Sequence, residues 1–193
     1  MWFSVLSTPE TNGSVDSSLP HYEAQINLSW VVKGPEDDAP ATNSERLARM
    51  KEMVGRGTGF HAVLRRAVEG LPDGTYVQEI KLADWPTTEW EGNGVVTLLG
   101  DAAHAMTMYR GEAANHGILD ASKLKEQLNL WYSGSKTKRQ ALGDFETEMH
   151  QRTHEAVLLS RQACLDAHDI ANLGPDSPLV SSRARVLVPG SKV

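Results

Sequence analysis

One stretch of the chain joins residue types able to bind and orient a ligand: Gly100-Asp101-Ala102-Ala103-His104, then Tyr109, Arg110, Gly111, Glu112, Ala113, Ala114 and Asn115. It couples the end of an apolar run to a loop and a helix start. In open α/β sheets ligands lie at the carboxyl ends of strands, and a helix N-terminus offers unpaired N–H groups and partial positive charge. The carboxylate of Asp101, directly after Gly100, can accept hydrogen bonds from ligand hydroxyls. Small residues at Gly111, Ala113, Ala114 and Gly117 let a planar ligand approach the backbone closely. A hydroxylated, anion-bearing cofactor suits both features. Arg110 can clamp a phosphate or form a salt bridge with Glu112 or an acid elsewhere, since a guanidinium serves either use.

Other reactive types are read more plainly. His104 is open to two readings, a general base or a residue that packs and hydrogen-bonds locally at the start of a short helix. No catalytic residue is assigned. His150 and His154 stand four apart on a predicted helix, but no third ligand of clear spacing accompanies them, so no metal is expected. Asp120 is read as structural, and Cys164 as a buried small hydrophobe. Ser160 and Arg161 belong to no recognisable Ser, His and acid arrangement, so hydrolase chemistry has no support.

These residues need elements to hold them. Trp2–Leu6 and Tyr22–Lys33 read as a hairpin with one buried face, because Tyr22, Ala24, Ile26, Leu28 and Trp30 alternate. A turn-rich acidic linker follows at 34–40. Ser44 is the expected cap of a helix carrying Leu47, Met50 and Val54, ended by Gly55 and Gly57. Thr58 is the expected cap of the next, which carries Phe60, Val63, Leu64, Ala67, Val68 and Leu71. Thr75–Ala83 reads as a strand. Val95-Val96-Thr97-Leu98-Leu99 is continuously apolar, the mark of a strand covered on both faces. Two long helices follow. The first, over 111–131, has Ala114, Gly117, Ile118, Ala121, Leu124, Leu128 and Trp131 on its stripe; the second, over 142–170, has Phe145, Met149, Ala156, Leu159 and Ala163. The divisions expected are 1–93, a sheet with helices; 94–173, the ligand motif and long helices; and 174–193, a frayed tail with Ser182, Arg183, Arg185 and Pro189.

The chain has 193 residues, 40% of them hydrophobic and 23% charged, enough to bury a core. A net charge of -6 gives no electrostatic reason to expect nucleic acid or an anionic membrane as partner. The single cysteine excludes an internal disulfide framework and suits a reducing compartment. The first residues lack the basic region and long apolar run of a signal peptide, and no apolar run is long enough to span a membrane. A cytoplasmic protein is expected.

The residues from Gly100 to Ala121 resemble the second flavin-binding motif of class A FAD-dependent monooxygenases of the aromatic-hydroxylase type. The likeness rests on Gly100 to His104, Arg110, Gly111, Ala114, Asn115, Asp120 and Ala121, and continues through Arg152 and the run Ala156 to Arg161, typical of fungal members acting in secondary metabolism. It covers most of 75–170. It implies a truncated FAD/NAD(P)-binding-type monooxygenase fold of class α/β, α+β in parts: a substrate-domain β-sheet with helices, a buried strand and two long C-terminal helices. The implied cofactor is FAD, with NAD(P)H as reductant and a small organic molecule as substrate. Asp101 would hold the ribityl hydroxyls, while Gly100, Arg110, Gly111, Glu112, Ala113, Ala114 and Asn115 complete the cofactor site. Trp2, Tyr22 and Trp30 are candidates for the substrate-covering sheet, whereas periodicity alone makes them core aromatics. The chain departs from the family pattern in several places, the family's pyrophosphate-contacting basic residue and its dipeptide before the substrate domain being absent too. It has no strand–Gly-x-Gly-x-x-Gly–helix unit; it reads Met106, Thr107, Met108 where a proline is usual; and it carries Ala113 where a glycine is usual. The Ala113 methyl would crowd the flavin, or be harmless at negative φ. The missing unit keeps a second expectation open, a cofactor-free pocket protein acting as isomerase, cyclase or binding partner. A third is a half-enzyme needing a separate N-terminal half, docked at the strand edge beside Trp2, or a homo-oligomer.

Overall fold

A computed structural model of the chain describes residues 1–55 and 59–181, arranged as two compact units, Met1–Ile80 and Lys81–Val193. The expected roles of Gly57 and Thr58, and the frayed tail from Ser182 on, lie outside the described residues.

The first unit holds a two-stranded antiparallel sheet, β1 (Trp2–Ser7) and β2 (Glu23–Asn27), with Trp2 opposite Asn27 and Val5 opposite Ala24. The short helix α1 (Pro9–Asn12) stands between them, and a one-turn 3₁₀ helix occupies Pro35–Asp37. The hairpin forms, but β2 stops at Asn27 and neither strand contains a buried residue. A two-stranded sheet has too little apolar surface to bury a face on its own. Trp2 and Tyr22 are exposed, so the core reading fails for both, while Trp30 is half-buried with Nε1 donating to the Asp37 carbonyl at 2.6 Å.

Helix α2 (Asn43–Gly55) buries Leu47, Met50 and Val54, as their spacing requires. Its cap is Thr42 rather than Ser44. The Thr42 hydroxyl accepts from Glu45 N–H at 3.3 Å and the Glu45 carboxylate accepts from Thr42 N–H at 3.2 Å, a reciprocal capping box. Helix α3 (Ala62–Glu69) is capped by His61, whose Nδ1 accepts from Val63 N–H. Met50, Val54 and Val68 form the core of the unit, with Ile26, Leu28, Phe60, Leu71 and Val77 around them.

Residues 75–83 form no strand. Side chains of α2 take the place of a neighbouring strand: Asn43 donates to the Thr75 carbonyl and accepts from Val77 N–H, and Arg46 Nε donates to the Val77 carbonyl at 2.8 Å. The backbone polar groups are satisfied without sheet pairing.

The second unit is built on α4 (Asp101–His104), α5 (Ala113–Tyr132) and α6 (Lys138–Asp166), with a 3₁₀ turn at Ile170–Asn172. A capping box opens α6: the Thr137 hydroxyl accepts from Gln140 N–H and the Gln140 side chain accepts from Thr137 N–H. Ala103, Phe145 and Met149 pack with Trp90 and Leu124. The buried stripe of α6 runs on through Thr153, Val157 and Ser160 rather than Ala156 and Leu159, because two hydroxyls find buried partners. Thr153 bonds the Thr87 hydroxyl at 2.7 Å, and Ser160 exchanges bonds with Thr107. In α5 the buried residues are His116 and Asp120, while Ala114, Ile118 and Ala121 are exposed.

The strand expected over Val95–Leu99 is absent, and Val95 and Val96 are 60% and 61% exposed. A strand needs a hydrogen-bonding neighbour, and among the described residues the only paired strands are β1 and β2. The N–H groups of Val95 and Val96 turn back onto the Gly92 carbonyl instead. The architecture is thus mixed: a small sheet with helices, then two long C-terminal helices.

Candidate flavin site

Gly100 has φ +59 and ψ -144, a conformation that only glycine adopts without strain. Its carbonyl accepts from the N–H groups of Ala103 and His104 at 2.9 and 3.0 Å, which winds α4 directly after it. Asp101, the first residue of α4, is exposed, and its carboxylate has no hydrogen-bond partner among the described residues. It stands free to accept from an incoming hydroxyl.

Gly111, at φ +64, turns the chain into α5, whose cap is Glu112. No side chain caps this end, so the first N–H groups of the helix have no capping acceptor. Ala114 and Asn115 are exposed there, Ala113 is half-buried, and the Asn115 side chain has no partner among the described residues. Among described non-glycine residues only Asn93 has positive φ, so Ala113 carries its methyl at a negative φ. Gly117 brings α5 against the turn: a Cβ built there would sit 3.8 Å from the Gly100 Cα.

Of the two readings left open for Arg110, the structure shows the ion pair. Arg110 is buried; Nε and Nη2 donate to the two Glu112 oxygens at 3.0 and 3.2 Å, and Nη1 donates to the Pro178 carbonyl at 2.7 Å. Glu112 is neutralised in the same contact. The loop between His104 and Arg110 is pinned where the family's proline would stiffen it. The Thr107 hydroxyl donates to the Ser160 carbonyl, and the Ser160 hydroxyl donates to the Thr107 carbonyl, each at 2.8 Å.

Beneath the turn lies a polar cluster that sequence reasoning did not assemble. His104 is fully buried at the end of α4, and its bond is long-range rather than local: Nε2 lies 2.6 Å from Asp120 Oδ2. The same oxygen accepts from Gly100 N–H at 2.7 Å, and Oδ1 accepts from Arg152 Nη2 at 2.7 Å. Arg152 also donates to Glu148, and its Nη1 faces His116 Nδ1 at 2.9 Å. Arginine can only donate, so His116 Nδ1 accepts and the ring proton sits on Nε2. The available signal was helical spacing: His116 with Asp120, and Glu148 with Arg152, each four apart on one face.

Burial pushes the Asp120 carboxyl upward, but hydrogen bonds from His104, Arg152 and Gly100 outweigh it and hold it below the usual range. Burial and the Arg152 charge push His116 down, favouring the neutral ring.

His150 packs on Trp90 with ring centroids 4.9 Å apart, and His154 Nδ1 lies 3.1 Å from the Thr87 carbonyl. Among the described residues no three His, Cys, Asp or Glu groups gather to hold a metal, and no helix is long and apolar enough to cross a membrane. Cys164 is half-buried rather than buried, and burial followed by the Asp84 charge raises its thiol pKa.

Comparison with known proteins bears directly on this geometry. Residues 23–160 match the family described as FAD binding domain. A protein of Arthroderma benhamiae named "Probable FAD-dependent monooxygenase" is 41% identical over 191 residues, covering 94% of this chain and 44% of that protein. The FAD-dependent monooxygenase dbaB of Emericella nidulans is 47% identical over 129 residues, 66% of this chain and 32% of the relative. The FAD-dependent monooxygenase cctM of Talaromyces islandicus is 35% identical over 159 residues, 81% and 38% respectively. The chain therefore spans less than half the length of these curated relatives. No solved structure matches it. The motif at Gly100–Asn115 falls inside the matched range, and the chain belongs to the FAD binding domain family.

Proposed function

We propose that this chain forms the flavin-facing part of an FAD-dependent monooxygenase that inserts oxygen into a small organic substrate in secondary-metabolite biosynthesis, in the cytoplasm, with NAD(P)H as reductant. The observation that carries the reading is Asp101: exposed, without a hydrogen-bond partner among the described residues, on a Gly100 turn beside the uncapped start of α5. Those donors and that acceptor suit FAD, which has ribityl hydroxyls to donate and an electron-rich ring edge to accept. In this reading Asp101 accepts from the ribityl chain. The backbone of Gly100, Gly111, Glu112, Ala113, Ala114 and Asn115 lines the cofactor, with N–H groups at the start of α5 stabilising negative charge on the ring. Arg110, tied to Glu112 and Pro178, contributes by holding this loop in shape. When bound, FAD supplies hydride acceptance from NAD(P)H and activation of O2, while the protein positions and shields the reacting groups. No side chain of this chain is assigned a proton-transfer role. The test is retention of FAD by the purified protein after desalting, which Asp101→Ala should abolish; unchanged retention in that variant removes Asp101 from the site.

A second reading is favoured by the exposure of Val95, Val96, Leu98 and Leu99 in a run with the composition of a two-sided buried strand. Here the flavin site is completed by a separate polypeptide that pairs with this run. Co-purification or added nucleotide-binding half of a relative should then raise FAD retention well above that of the chain alone. No change on addition counts against it.

A further inference from the structure

Three features lie outside the residues just assigned to flavin: the hydroxyl pairs joining loops to α6, the Trp90–His150 contact, and the His104–Asp120–Arg152 cluster. The cluster alone touches the turn that presents Asp101. Asp120 Oδ2 accepts from Gly100 N–H, and the Gly100 carbonyl accepts from Ala103 and His104 N–H. Both polar groups of Gly100 are therefore fixed. His104 closes the ring, since its backbone bonds Gly100 and its imidazole bonds Asp120. Asp120 is 0% exposed and Arg152 orients its other oxygen from α6, so the carboxylate cannot swing away. His104 Nδ1 is buried without a partner, which leaves the Asp120 contact as the ring's one hydrogen bond among the described residues.

We infer that Asp120 is a positioning residue: it anchors the Gly100 N–H and thereby sets the direction in which Asp101 presents its carboxylate, with His104 and Arg152 holding Asp120 in place. It never touches the ligand. The role at flavin rests on the proposed function, but the anchoring of Gly100 does not. A purely structural Asp120, one that only ties α5 to α6 through Arg152, would leave the Gly100–Asp101 backbone unmoved when replaced.

The experiment uses the full chain, labelled with nitrogen-15, and two readouts. The first is the amide resonance and hydrogen exchange of Gly100 and Asp101; the second is FAD titration. In wild type the Gly100 proton should lie downfield and exchange slowly, because its acceptor is a carboxylate. Asp120→Ala should move it upfield and speed its exchange about tenfold or more, as loss of a charge-assisted bond implies. FAD affinity should fall about tenfold alongside. Asp120→Asn, close in shape and so the variant to rely on if alanine unfolds the chain, should give a smaller upfield shift because its acceptor is neutral. Arg152→Met removes one support of Asp120 but leaves His104 and the Gly100 acceptor, so it should lower the melting temperature and move the Gly100 amide less than Asp120→Asn does. Unmoved Gly100 and Asp101 resonances in Asp120→Asn overturn the inference, as does an equal shift in Arg152→Met. A wild-type chain that takes no FAD, alone or with an added nucleotide-binding half, refutes the proposed function instead, and the resonances still decide the anchoring.

Discussion

Asp101 and Asp120 show how neighbouring carboxylates of one site are given opposite environments. Asp101 is exposed with no hydrogen-bond partner among the described residues, whereas Asp120 is buried with both oxygens committed. The turn between them depends on glycine. A Cβ at Gly100 would meet nothing within 4 Å, so Gly100→Ala tests backbone strain alone, and it should destabilise the protein by about 1–3 kcal/mol in thermal or urea unfolding. Acid should act through the buried cluster. Asp120 has a lowered folded pKa, so its contribution to stability is complete above the ordinary carboxyl value, about 4, and is lost as pH falls through the lower folded value. His116, also lowered, adds stability that is complete above the ordinary imidazole value, about 6.5, and declines as pH falls below it. Stability should therefore fall from about pH 6.5 downward, and His116→Gln should flatten the upper part of that fall. An unchanged pH profile in His116→Gln would show that the ring does not carry it. The sequence motif made Asp101 legible because a carboxylate after a glycine needs only local spacing to be noticed. It hid the contacts of Asp120, whose partners come from α4 with its cap and from α6, 16 to 32 residues away.

At the scale of elements, helices were legible, and strands only in the hairpin, where β1 and β2 pair within a short stretch of chain. A helix satisfies its backbone internally, so Leu47, Met50 and Val54 or Phe145 and Met149 announce it by spacing alone. A strand is defined by its neighbour, and the runs at 75–83 and 95–99 lack one. The first is satisfied by Asn43 and Arg46; the second remains exposed. Stripes were misjudged where polar residues are buried, as with Thr153 and Ser160 on α6, because hydropathy does not foresee a hydroxyl partner. The helices themselves should respond as their caps and packing dictate. Thr137→Ala removes the capping box of α6 and should cost about 1 kcal/mol. Phe145→Ala, at 1% exposure in the core beside Met149, should cost about 3–5 kcal/mol, read as a shift in the denaturation midpoint. A loss below about 1 kcal/mol would show that the site collapses to fill the space.

At the scale of the whole molecule, the chain aligns with FAD-dependent monooxygenases over 66% to 94% of its length while spanning less than half of theirs. The turn, the start of α5 and the long helices are present, whereas the apolar run leading into the turn is uncovered. A site assembled from one polypeptide and a site completed by two predict different behaviour in the same measurement. That measurement is the visible absorption spectrum of the desalted protein after incubation with FAD, for wild type and Asp101→Ala, with and without an added nucleotide-binding half. Oxidised-flavin bands are expected in wild type and their loss in Asp101→Ala; bands that emerge only with the added half would assign the site to two polypeptides. A colourless wild-type protein under both conditions would contradict the flavin site itself.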